Sequence, residues 1–141
     1  MNRKNILGMA VAAAFVISVV LVQAQTATVS NLVSAPEAVN MLKEGKFSLV
    51  LDVRTPDEYT GPLGHISGAR LIPVQSLEDR LKEIEAYKDK TVLVYCHSGV
   101  RSAKSAAILR SHGFTKVYDL EGGMMGWKSL GYPSDNKASR N

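Results

Sequence analysis

The stretch Val92-Leu93-Val94-Tyr95-Cys96-His97-Ser98-Gly99-Val100-Arg101-Ser102 decides how this chain is read. Its apolar first part has the pattern of a buried strand and delivers the only cysteine of the sequence to the mouth of a tight loop. A helical pattern over residues 103–112 then carries the chain away. Such a strand–loop–helix aims successive loop N–H groups at one spot, where the helix dipole also favours negative charge. A thiol placed there ionises readily, because helix N-termini and nearby Arg or Lys lower a cysteine pKa from about 8.5 to roughly 3.5–7.5.

Cys96 has two readings, a nucleophile or a small buried hydrophobe kept for packing. Its neighbours favour the first. Gly99 permits a close backbone approach or a positive φ, Arg101 offers a fixed cationic fork, and Ser102 is a helix-capping type that also donates to anions. Together they form an anion-binding pocket around a thiolate, with the N–H groups of His97, Ser98, Gly99, Val100 and Arg101 as its walls.

Working outward, a short strand is expected over 29–32, and Ser34-Ala35-Pro36-Glu37 is a capping box opening a helix that closes at Gly45. Residues 47–53 form a near-continuous apolar run, as in a strand buried on both faces. Thr55-Pro56-Asp57-Glu58 is a second capping box, and 69–73 a brief strand. Leu77, Leu81 and Ile84 recur at helical spacing after Ser76. Strand 91–95, helix 102–112, strand 116–120 and helix 123–130 complete the pass. Strands alternating with helices predict an α/β fold, with a central, mostly parallel sheet flanked by helices on both faces. Active sites of such folds lie at the carboxyl ends of strands, where Cys96 falls.

The loop Cys-x-x-Gly-x-Arg-Ser resembles the active-site loop of rhodanese-family sulfurtransferases. Leu51-Asp52-Val53-Arg54, Glu58-Tyr59, Gly64-His65-Ile66-Ser67-Gly68-Ala69 and Ile72-Pro73 resemble the family's upstream signature; Leu120-Glu121-Gly122-Gly123, Trp127 and Gly131-Tyr132-Pro133 resemble its C-terminal one. The similarity runs over residues 29–133. It implies a rhodanese-like fold and a double displacement: Cys96 attacks the outer sulfur of a small anionic donor such as thiosulfate, then passes that sulfur to a thiol or cyanide. No metal or organic cofactor is implied, and His65, His97 and His112 are too scattered around the lone cysteine for metal-ligand spacing. The donor-binding residues so implied are His97 to Ser102.

The other candidates divide between chemistry and support. Asp52 and Arg54 end another strand near the same mouth and read equally as an ion pair or as a substrate contact. His65 is expected to tie its loop to the core, His97 to sit at the rim, and His112 to partner a helix C-terminus. Trp127 with Met124 and Met125 reads most simply as core. Relatives best suited to thiosulfate carry basic residues just after the cysteine; His97 and Ser98 stand here instead, which weakens the expectation for that donor. Cysteine phosphatases place five residues between Cys and Arg, whereas this chain places four. A different class of function is a low-turnover carrier of persulfide sulfur or a thiol-binding module.

The N-terminus reads as a targeting segment. Arg3 and Lys4 precede an uncharged stretch over 6–22, and Val22-Gln23-Ala24 suits a signal peptidase. Residues 1–24 are expected to be a signal peptide, or else an uncleaved membrane anchor, followed by one domain over 25–141. Either way the domain is exported and periplasmic, where a lone exposed thiol needs a reason such as catalysis. The chain carries 17 basic and 13 acidic residues. This small excess, without basic runs, argues against nucleic acid as a partner.

Overall fold

The computed structural model describes residues 31–137. The signal peptide or anchor read over 1–24, and the beginning of the first strand, lie outside the described residues. Five strands, β1 (Asn31–Val33), β2 (Leu49–Asp52), β3 (Arg70–Leu71), β4 (Thr91–Tyr95) and β5 (Lys116–Leu120), form one sheet in the order β1-β5-β4-β2-β3. Every pairing in it is parallel. The helices are α1 (Ala35–Lys43), α2 (Pro56–Tyr59), α3 (Val100–Ser111) and α4 (Gly123–Ser129).

The central strand β4 shows why both faces must be covered. Its alternate residues Val92 and Val94, continued by Cys96, enter one core with Ala106 and Leu109 of α3. Leu93 and Tyr95 enter the other core with Ala38 of α1, Tyr59 of α2, and Met124 and Trp127 of α4. Each fully buried side chain of this size contributes roughly 1.5–3 kcal/mol, so both halves of the alternation hold the strand in register.

Local chemistry sets the helix starts. At Thr55 the capping box forms in full: the side chain accepts from the Glu58 N–H, and the Glu58 carboxylate accepts from the Thr55 N–H. At Ser34 the hydroxyl accepts from the Glu37 N–H at 3.4 Å.

One element differs from expectation. The segment after β3 forms two 3-10 turns, Val74–Ser76 and Glu78–Tyr87, rather than an α-helix. Neither start has a side-chain cap, and the Glu83 carbonyl accepts from the Arg70 guanidinium at 3.0 Å, which competes with an ordinary helical bond. Leu77 and Ile84 are nonetheless fully buried. Leu81 and Ile84, three residues apart, share a face in either geometry, and both pack into the core beneath α3.

Candidate active site

The carboxyl ends of β2, β4 and β5 meet at one edge of the sheet, and the loops that follow them build the site. Register aligns Asp52 with Tyr95 and Val94 with Asp119. Past β4 the chain turns through Cys96, His97, Ser98 and Gly99. Gly99 takes a positive φ of 111° at the start of α3, a conformation in which a side chain would be strained. That turn aims its own N–H at the sulfur, 3.1 Å away.

Cys96 is 1% exposed. Burial is the largest single influence on its thiol and pushes the pKa up. The Ser102 hydroxyl and the backbone N–H groups of Ser102, Gly99 and Ser98 all favour the thiolate, and together they hold the pKa below its ordinary value. Of the N–H groups expected around the sulfur, those of Ser98 and Gly99 act on it, joined by the N–H and hydroxyl of Ser102.

A second loop braces the first from below. The N–H groups of Met124 and Met125, in the first turn of α4, donate to the carbonyls of Cys96 and His97 at 2.9 and 3.0 Å. This approach requires glycine at 123, because a Cβ there would stand 2.7 Å from the carbonyl carbon of His97. The double glycine carries family resemblance in the sequence, but its task of shaping the cysteine loop is visible only in three dimensions.

Arg101 is placed differently from the open cradle cation read in the sequence. Its guanidinium forms two 2.7 Å hydrogen bonds with the carboxylate of Glu58, and both side chains are 30% exposed. This fork-to-fork bonding holds the Glu58 pKa down at about 2, with burial opposing it and Thr55 assisting. Charge on Cys96 still acts on Arg101, so the cation contributes to the site from behind a partner. Glu58 was visible in the sequence as a cap residue, yet its pairing across 43 positions was not.

The remaining candidates separate cleanly. Arg54 and Asp52 form a buried ion pair, joined by bonds of 2.7 to 3.2 Å, and Arg54 also donates to the Gly64 carbonyl at 2.7 Å. The ion pair of their two readings is present, and Arg54 also reaches the cleft described below. His65 is 3% exposed, stacks on the Tyr59 ring at 3.5 Å and has Nδ1 2.8 Å from the Tyr59 carbonyl; it ties its loop to the core. His112 Nδ1 lies 2.9 Å from the Ile108 carbonyl at the end of α3. His97 is half-buried and, with Arg54, Glu58, Pro62 and Leu63, lines a cleft of about 200 Å³. Val100 is 79% exposed, so its side chain takes no part in enclosing the sulfur. Trp127 and Met124 are core, while Met125 is 52% exposed. Among the described residues no three His, Cys, Asp or Glu side chains are grouped so as to share a metal ion.

The Rhodanese-like domain model matches residues 34–130, a span that includes every loop just described. The chain belongs to the rhodanese-like family. An uncharacterized protein of Bacillus subtilis, YqhL, is 46% identical over 78 residues, covering 55% of this chain and 59% of its own length. The thiosulfate sulfurtransferase GlpE of Pseudomonas paraeruginosa is 39% identical over 101 residues, covering 72% of this chain and 86% of its own. A crystal structure of a rhodanese-related protein from Thermoplasma volcanium superposes with a TM-score of 0.67 at 32% identity, over 76% of this chain and 99% of that one. The chain thus spans about three-fifths of the first relative and most of the second.

Proposed function

We propose that this rhodanese-like domain is a sulfurtransferase in which Cys96 carries the sulfur. The observation that supports it most is the buried sulfur with its converging donors, an arrangement that favours an anionic thiolate or persulfide over a neutral thiol. With thiosulfate, the Cys96 thiolate attacks the outer sulfur. A new S–S bond forms on the enzyme, the donor's S–S bond breaks, and sulfite leaves with its electron pair. A thiolate or cyanide then attacks the outer sulfur of the persulfide, forming a new bond to it and returning Cys96 as thiolate. The loop N–H groups serve both anions in turn, and Arg101 balances their charge from the side of Glu58.

Intact-mass measurement of purified protein after incubation with thiosulfate tests this. The expected result is a gain of one sulfur, reversed by cyanide or dithiothreitol and absent in Cys96→Ser. No gain with any of several sulfur donors overturns the reading. A carrier with little turnover is the second reading, favoured by the enclosure of Cys96 and the pairing of Arg101. Stoichiometric loading with negligible turnover would select it. The composition of residues 1–24 supports a periplasmic location for either activity, and fractionation of cells expressing the full chain checks that location.

A further inference from the structure

A second cavity, of about 490 Å³, lies apart from the cysteine loop. Val39 and Leu42 of α1 form one wall, Ile66 another, and Trp127 of α4 with Tyr132 a third. It shares no lining residue with the cleft beside His97. Small-molecule sites occupy roughly 300–1,000 Å³ and are mostly apolar, with a few polar groups that orient the ligand.

The walls are set before anything binds. Ile66 and Trp127 are each 3% exposed. The Trp127 indole N–H donates to the Pro133 carbonyl at 2.8 Å, and the Tyr132 ring stands 5.1 Å from the Trp127 ring. The segment beyond Pro133 is tied to the loop of Ile66 by two backbone bonds between His65 and Asp135, of 2.7 and 2.8 Å. A pocket held in this way spares a ligand the cost of ordering it.

Three residues of the lining carry polar side chains: Lys43, Ser67 and Tyr132. None of the three has a side-chain hydrogen bond or ion pair among the described residues. Lys43 is the only charged residue in the lining. The carboxylate next to it along the chain, that of Glu44, is taken by Lys46 at 2.6 Å. The cavity therefore combines apolar walls with one uncompensated positive charge and two hydroxyl donors.

We propose that this cavity binds a small amphipathic monocarboxylate, its ring or short acyl body packed against Val39, Leu42 and Trp127 and its carboxylate on Lys43. Charge selects the ligand. A cationic group meets Lys43 as a like charge, and a neutral group leaves that charge unanswered. A dianion brings a second charge for which the lining has no partner. The apolar walls call for the body, since only apolar surface gains from being buried against them. No residue of the cysteine loop takes part, so the inference stands apart from the sulfurtransferase reading.

Trp127 is the only tryptophan of the chain, and its emission reports on the cavity directly. The test titrates purified protein with phenylbutyrate, phenylbutanol and phenylbutylamine, which share one apolar body and differ in charge. Phenylbutyrate should shift the emission saturably and bind roughly three- to fivefold tighter than phenylbutanol, the upper range of an exposed ion pair. Phenylbutylamine should bind weakest. In Lys43→Gln, a change at an exposed position, the acid should fall to the affinity of the alcohol while the alcohol keeps its own. Val39→Phe, which fills the cavity, should weaken all three ligands. No saturable change with phenylbutyrate overturns the proposal. So does equal binding of acid and alcohol, or a preference for the acid that survives Lys43→Gln. Undiminished binding in folded Val39→Phe places the ligand elsewhere and overturns it as well; should that variant not fold, Lys43→Gln decides. None of these titrations involves a sulfur donor. Protein that binds the acid as expected yet never loads sulfur would sink the sulfurtransferase reading and leave this site standing.

Discussion

Two arginine–carboxylate pairs flank the cysteine loop, and they are alike in chemistry but opposite in setting. Arg54 and Asp52 are 1% and 0% exposed; Arg101 and Glu58 are 30% exposed each. The first pair spans two positions, and Arg54 bonds Asp52 through Nε and Nη2 and the Gly64 carbonyl through Nη2. The second joins α2 to α3 across the mouth of the site and leaves one edge in solvent. Burial, rather than residue type, divides the two: one pair is enclosed, the other partly open at the mouth of the site.

The contrast breaks most easily at Arg54. Arg54→Ala leaves Asp52 buried and uncompensated, and losing one member of a buried pair costs roughly 3–5 kcal/mol. Urea denaturation should show that loss, a large share of the roughly 5–15 kcal/mol that holds a domain of this size together. A cost under about 1 kcal/mol would mean that the two pairs are not different in kind.

Arg101→Ala should act on rate instead. A fixed donor or cation at developing charge is worth about 10²–10³ in turnover, so sulfur transfer should fall by that order with a modest effect on stability. His97→Ala, at the cleft rim, should cost less than about tenfold. Steady-state kinetics on both variants decides the order, and a collapse with His97→Ala beside near-normal Arg101→Ala would reverse the assignment.

This division was only half legible in the sequence. Strands β4 and β5 stand where their apolar alternation put them, because both faces of each are packed and a slip by one residue would expose a whole side. Cys96, Gly99 and Ser102 were legible because strand, loop and helix follow one another directly along the chain. Glu58 opposite Arg101 and Gly123 against His97 were not, since those contacts are made across the fold between loops far apart in sequence. The segment around residues 77–84 differs from its expected α-helix for another reason. Its apolar spacing reports which side faces the core, not whether the backbone closes in 3-10 or α turns.

Glu58→Gln sharpens the comparison by changing charge without removing the side chain. The Arg101 charge then stands uncompensated, which favours the Cys96 thiolate, whereas Arg101→Ala leaves a bare carboxylate that disfavours it. Alkylation midpoints should therefore move in opposite directions, down for Glu58→Gln and up for Arg101→Ala, each by less than about one pH unit. Movement in the same direction would show that the pair affects the loop through its shape rather than its charge.

The smallest expected effect is in acid stability. The Arg101 guanidinium, with help from Thr55 and against the opposing pull of burial, holds the Glu58 carboxyl at about 2 in the folded protein, below its ordinary 4.5. Between those values the unfolded chain binds a proton that the folded chain does not, so stability rises with pH across the window. The contribution is fully present above about pH 4.5 and is lost as pH falls toward about 2. Because the pair is partly open to water, solvent screening limits its worth to about 1 kcal/mol. Wild-type protein should therefore lose about that much more stability than Glu58→Gln between pH 5 and pH 2.5, and the difference should shrink in high salt. Equal losses in the two proteins would mean that the exposed pair adds nothing to the fold.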